Sequence, residues 1–196
     1  MRRLFEFGGY VAGALLIAFG VVALILGVGG RSDVRDNLAR EKIEGSPDMT
    51  PAEIRAAVDQ AGLEIDDLPD CTVAGELVDR GSEARCFADY MRIHALQGTG
   101  GRVYAEMGRF LTASGEETND PAEAEMVDGR PVPNRARDLW VTETALATAL
   151  NMAFFAEQVS NFSIVVAVAL ILAGIGFIVL AYAALRWLPD YERRRA

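Results

Sequence analysis

Residues 162–185 read FSIVVAVALILAGIGFIVLAYAAL, 24 positions without Asp, Glu, Lys, Arg or His. A helix needs ~20 such residues to cross the hydrocarbon core of a bilayer, so this stretch is long enough. Near the other end, residues 7–30 (FGGYVAGALLIAFGVVALILGVGG) match it in length and in lack of charge. The 196-residue chain therefore reads as one polar segment held between two apolar runs. The expected fold class is an all-α membrane protein. Two transmembrane helices extend into an extracytoplasmic helical stalk that carries a small helical cap.

Each run has a competing interpretation. Met1-Arg2-Arg3 resembles the basic start of a signal peptide, but the apolar part of a signal runs ~7–15 residues and ends in a small-x-small cleavage site. Here the run continues through Gly27, Gly29 and Gly30 to Arg31 without such a site, which favours an anchor. The second run would otherwise be a buried core helix. A polar segment of this size rarely holds a helix that is apolar on every side.

Charge sets the expected orientation. The tails, residues 1–6 and 186–196, hold Arg2, Arg3, Arg186, Arg193, Arg194 and Arg195 against Glu6, Asp190 and Glu192. Residues 31–162 hold the remaining 13 basic and 25 acidic residues. Basic residues in short flanks stay cytoplasmic, whereas long loops translocate largely regardless of charge. Both termini are thus expected in the cytoplasm of a plasma-membrane protein, with residues 31–161 outside. Trp187 and Tyr191, with Phe7 or Tyr10 on the first run, read as interfacial anchors. The overall charge of −9 argues against nucleic-acid binding.

Cys71 and Cys86 both fall between the runs. An even number in an oxidising compartment suggests a disulfide; two unrelated buried thiols, or more remotely a metal site, are the alternatives. Zinc wants four ligands, and His94 is the one histidine of the chain.

Between the runs, the sequence reads as helical. Residues 31–44 continue the first helix until Gly45-Ser46-Pro47. Thr50, Pro51 and Glu53 form a helix start with a capping box, Ile54, Val58 and Ala61 make its inner face, and Gly62 ends it. Another helix is expected from Ser82 to Gln97, with Phe87, Tyr90, Met91 and His94 on one flank and Gly98-Thr99-Gly100-Gly101 as its end. Residues 103–111 read as a short helix with Val103, Met107, Phe110 and Leu111 inward. Residues 114–137, polar and proline-containing, read as a mobile loop. A single helix is expected from about 138 to 188, with Leu139, Leu146, Leu150, Ala153 and Phe154 as its stripe. No alternating strand pattern stands out.

Within the apolar runs, Gly13, Gly20 and Gly27 stand seven apart, as do Ala167, Gly174 and Ala181. Small residues on one face let helix backbones approach closely in lipid, so these stripes are expected to face each other in an antiparallel pair centred near Gly20 and Gly174. Plain membrane-helix composition is the alternative. Gly9 with Gly13, and Ala169 with Ala173, are candidates for contact between protomers.

Chemistry is sparse. Neither run contains an ionisable residue that would mark a proton or ion path. GTGG at 98–101 lacks the lysine and spacing of a P-loop and reads as a helix end. Glu116, Glu117, Asp120, Glu123 and Glu125 lack the EF-hand spacing and read as a solvated charge run. His94 has no partner His or catalytic Cys and reads as a histidine of the core or of a helix surface. Asn161-Phe162-Ser163 matches a glycosylation sequon, but its place at the membrane edge makes it a chance match. No catalytic, cofactor-binding or metal residue is expected.

Two segments carry a resemblance. IHALQGTGGRVYAEM (93–107) and LWVTETALATALNMAFFAEQVSNFSIVVAVALIL (139–172), with their HAL-x-x-TGG-x-x-YAE and TETAL…FFAEQV segments, resemble a group of actinobacterial two-span membrane proteins, and the preference for Arg over the single Lys42 suits such high-GC genomes. The resemblance covers about a quarter of the chain and implies topology alone. Some members of that group go under the name of aromatic ring-opening dioxygenase. Such a non-haem iron site needs two His and a carboxylate, which one histidine does not supply. The expected function is a non-enzymatic interaction or structural component of the cell envelope, whose partners are the bilayer and a second copy or another membrane protein. The alternative is an envelope sensor or enzyme with a ligand pocket in the outer domain.

Overall fold

The computed structural model describes the backbone of residues 2–193 and the side chains of residues 7–183. Arg2, Arg3, Arg186, Trp187, Tyr191, Arg193, Arg194 and Arg195, which carry the orientation argument, lie outside the described residues in whole or in their side chains. The chain is mostly helical. Helix α1 spans Arg2–Glu41, α2 Pro51–Gln60, α3 Gly81–Thr99 and α4 Arg135–Arg193. Two of these are long and apolar enough to cross a membrane, over Phe7–Glu41 and Arg135–Ala183. The chain divides into two compact units: Met1–Asp33 with Ala156–Ala196, and Val34–Phe155.

In the first unit, α1 and α4 run antiparallel and pack through small residues. A Cβ on Gly13 would lie 2.6 Å from the Gly174 carbonyl oxygen, and one on Gly174 would lie 2.6 Å from that of Gly13. Gly20 faces Ala167 and Ile171, Gly27 faces Ser160 and Ile164, and Gly9 faces Ala181. Backbones this close leave no room for a side chain on the glycines, and in lipid it is such van der Waals packing that joins helices. Ser163 Oγ donates to the Ala23 carbonyl at 3.0 Å. At the end of the seam, Arg31 Nε lies 3.6 Å from Glu157 Oε1.

The second unit has a core in three parts. Met49, Ile54, Val58, Val73, Cys86, Tyr90 and Ile93 form one cluster among α2, α3 and the segment between them. Leu38, Val78, Ala84, Ala88 and Leu150 form the second, which joins α1, α3 and α4. Ala95, Leu96, Met107 and Trp140 form the third.

Local chemistry fixes the helix ends. Thr50 caps α2, its Oγ1 accepting from the Glu53 N–H at 3.2 Å. Gly62 and Gly100 take left-handed backbone angles (φ +65 each). In each case the next residue donates back to close a Schellman turn, Leu63 to Val58 at 3.2 Å and Gly101 to Leu96 at 2.7 Å. α3 begins at Gly81, one residue before Ser82; the Glu83 carboxylate accepts from the N–H groups of Asp79 (3.0 Å) and Arg80 (3.1 Å). α1 ends at Glu41 rather than at 44, where Lys42 adopts φ +53. Gly45 then passes so close to the Val73 carbonyl that no side chain would fit there.

The region after α3 differs most from expectation. Residues 103–111 are not a helix: a single 3-10 turn at Tyr104–Glu106 is followed by a strand, β1 Phe110–Leu111. The Glu106 carboxylate accepts from the Val103 N–H at 2.8 Å, which caps the short turn. Residues 114–137, expected as a mobile loop, contain β2 Glu117–Thr118, β3 Met126–Val127 and β4 Arg130–Pro131 and then enter α4. β1 pairs antiparallel with β2, and β3 with β4. Asp128 and Gly129 both have positive φ (+52 and +73), the two-residue hairpin turn that Asp-Gly favours.

Candidate functional site

The cysteines expected to pair do meet. Cys71 Sγ and Cys86 Sγ are bonded, with Cα atoms 6.1 Å apart, so the segment before α3 is clamped onto the helix. Next to the bond, the fully buried Tyr90 donates its hydroxyl to the Cys71 carbonyl at 2.6 Å. Burial, with the Asp70 charge nearby, holds the Tyr90 hydroxyl above its ordinary pKa, so it stays a donor.

Beside this clamp is a cleft of about 630 Å³ whose lining includes Glu64, Asp66, Asp70, Arg85, Asp89 and Arg92. Burial raises the Asp89 carboxyl above the usual range; Arg85 acts against that shift and Asp70 with it. Among the described residues, no group of three or more His, Cys, Asp or Glu is arranged to hold a metal ion.

His94 is half-buried on α3, with Nε2 3.0 Å from Asp48 Oδ2. A charged ring would make this contact an ion pair. Asp48 also accepts from Ser46 Oγ at 2.5 Å, and that bond is the main reason its carboxyl sits below the usual range.

Of the acidic run expected to be solvated, Glu117 is instead a tether. Its Oε2 accepts from the Gly108 N–H at 2.8 Å and its Oε1 lies 2.9 Å from Arg102 Nη1. The Gly108 bond first, then Asn134 and Arg102, hold its carboxyl below the usual range. Buried Asn134 donates to the Gly108 carbonyl at 3.0 Å and accepts from the Ala136 N–H at 3.1 Å. One side chain thereby starts α4 and fixes the preceding loop. A buried Asn just before a helical run was the sequence signal for it.

The six seam residues Gly13, Gly20, Gly27, Ala167, Gly174 and Ala181 all lie on the facing sides of α1 and α4, with the register offset by one heptad from the expected Gly20–Gly174 centre. Gly174 meets Gly13, and Gly20 meets Ala167. Gly9 and Gly13, candidates for contact between protomers, are taken up by Ala181 and Gly174 of the same chain, while Ala169 and Ala173 are exposed.

α4 presents an exposed apolar face that its sequence pattern does not advertise. In the second unit, Val141, Met152 and Phe155 are 50%, 57% and 59% exposed, while Glu143 is 6% exposed. Tyr104, Trp140, Val141, Thr144, Ala145 and Thr148 line a groove of about 540 Å³ along it. Arg137 stacks over the Tyr104 ring at 4.0 Å and Arg92 over Trp140 at 5.2 Å, which keeps both rings in place. Scans against family models, curated proteins and solved structures found no match to this chain.

Proposed function

We propose that the chain is a two-pass plasma-membrane protein with both termini cytoplasmic, of the kind found in actinobacterial two-span proteins. Residues 31–161 form an extracytoplasmic helical domain that acts as a non-enzymatic interaction or structural component of the envelope. One observation carries this reading: two helices long and apolar enough to cross a membrane flank a unit clamped by a disulfide. Disulfides persist in oxidising compartments, and the Arg-rich tails favour the cytoplasm. Several acidic side chains of this unit are occupied in structural work: Glu83 and Glu106 cap helical turns, and Glu117 ties a loop to Arg102.

The cleft beside Cys71 supports a second reading, an envelope sensor or enzyme with a ligand pocket. Its raised Asp89 carboxyl is the kind of perturbed group that marks functional clefts.

Thiol labelling of intact cells tests the first reading. Cysteine placed at position 120 is expected to react, and cysteines at positions 3 and 193 to be protected. Reaction at either tail overturns the topology. A thermal shift with envelope precursors or metal ions that disappears in Asp89→Asn would favour the second reading.

A further inference from the structure

We propose that the cleft beside Cys71 binds a small zwitterion of the short-peptide class, whose free amines meet the acids of residues 64–70 and whose free carboxylate meets Arg85 and Arg92. This names the ligand for the pocket reading given above and rests on it.

The cleft is lined by two elements of different charge. Residues 64–70, EIDDLPD, contribute Glu64, Asp66, Asp67 and Asp70 and no cation. α3 contributes both guanidiniums, Arg85 and Arg92, with Asp89 between them in sequence. The disulfide ties one element to the other, since Asp70 precedes Cys71 and Arg85 precedes Cys86. Charges of both signs are therefore held at one cleft. Even so, among the described residues none of these carboxylates is hydrogen-bonded to, or ion-paired with, Arg85 or Arg92. The guanidiniums rest on rings instead, Arg85 over Phe154 at 5.0 Å and Arg92 over Trp140 at 5.2 Å. A stacked guanidinium uses its face and keeps its N–H edge for a carboxylate.

Size and charge select the ligand. At about 630 Å³ the cleft falls in the ~300–1,000 Å³ range of small-molecule sites, well beyond what an ion fills. A plain polyamine would meet two guanidiniums, and a plain dicarboxylate would meet five carboxylates. A molecule with free amines and a free carboxylate answers both signs. The excess of acids in the lining favours one with more amines than carboxylates. Ile65, Leu68, Ile93 and Leu96 line the same cleft and suit the apolar part of such a ligand. Burial raises the Asp89 carboxyl, and the Asp70 charge adds to the rise; an ammonium bound beside them would offset both.

The test titrates the full chain in detergent, its disulfide intact, with lysyl-leucine, the doubly N-acetylated dipeptide and the C-terminal amide. Calorimetry should show the free dipeptide binding at least tenfold more tightly than either blocked form. Arg85→Gln combined with Arg92→Gln should lower the dipeptide to the affinity of the amide and leave the amide's own binding as it was. Retained amide binding also shows that the variant is folded; should the double variant lose all binding, each single variant should still narrow the gap. Asp66→Asn, Asp67→Asn and Asp70→Asn together should abolish the preference for free amines. The inference is overturned if lysyl-leucine does not bind, if the blocked forms bind equally well, or if the variants leave both preferences intact. Binding of cadaverine or succinate in place of the dipeptide, removed by Asp89→Asn, overturns this ligand class and keeps the pocket reading. A cleft that answers to none of these probes removes the pocket reading with it.

Discussion

The two long helices contribute opposite surfaces to the Val34–Phe155 unit. The last turns of α1, VRDNLARE from Val34 to Glu41, have four charged residues in eight. Only one inward residue there, Leu38, is in the core, and Arg35 reaches out to Asp79 at 2.9 Å. The corresponding length of α4, LWVTETALATALNMAFF from 139 to 155, has one charge in seventeen, and it is buried. Both helices put a leucine, Leu38 or Leu150, into the same cluster. They differ in what covers the other side: water is sufficient for α1, whereas α4 presents apolar surface that water covers poorly. Two helices can therefore share one core while only one of them is finished by solvent.

The sharpest way to break this contrast is through the shared cluster. Leu38→Ala and Leu150→Ala should each destabilise the Val34–Phe155 unit by roughly 2–5 kcal/mol, measured by urea unfolding in detergent. If only one of them did, the two helices would not share a core. A smaller loss is expected in the apolar segment, where Gly13→Leu would drive a side chain into the Gly174 carbonyl and Ile178. Overpacking of this sort costs about 1–3 kcal/mol, read as a lower melting temperature and weaker crosslinking between cysteines placed at positions 16 and 171. Unchanged crosslinking would mean that small residues are not what brings α1 and α4 together.

The anchorage of α4 at its start gives a pH-dependent test. Glu117 has its folded pKa lowered, so the stability it contributes is complete above the ordinary glutamate range. That stability fades as pH falls through the lowered folded value, with the Gly108 bond the leading cause. Glu117→Gln should flatten the acid limb of the stability curve, and an unaltered limb would remove Glu117 from the anchorage. The smallest effect belongs to α1. The Arg35–Asp79 pair is exposed on the Arg side, so Arg35→Ala should cost under ~1 kcal/mol and less in high salt. A large loss would show that the charged face of α1 is structural after all.

Much of this was legible because it rests on local chemistry. The apolar runs, the Thr50-Pro51 start and the Gly62 and Gly100 ends are each written within a few residues. The heptad offset in the seam was not, because stripes repeating every seven residues look identical when slid by seven. The partners that distinguish the registers, such as Ser163 on Ala23, are far apart in sequence. Residues 103–111 misled because Val103, Met107, Phe110 and Leu111 have helical spacing, but Glu106 caps a three-residue turn and the strand Phe110–Leu111 pairs with residues 117–118. Asp128-Gly129 was a readable hairpin signal. The expected α4 stripe holds only in part, since Leu150 is buried but Leu139 and Leu146 are exposed: helical spacing alone does not say which side of an apolar helix meets the core.

The division of the core of the Val34–Phe155 unit has a consequence for the order in which the chain can fold. The cluster of Met49, Ile54, Val73, Tyr90 and Ile93 draws on one continuous stretch. It can collapse and bring Cys71 against Cys86 before α4 is available. The cluster that includes Leu38 and Leu150 draws on both ends of the unit and has to wait for α4. Contacts between distant parts of a chain form slowly because loop closure must come first. Val78, Ala84 and Ala88 are therefore left without their cover during synthesis. That interval, rather than the finished fold, is when this protein is most exposed to aggregation and to proteases.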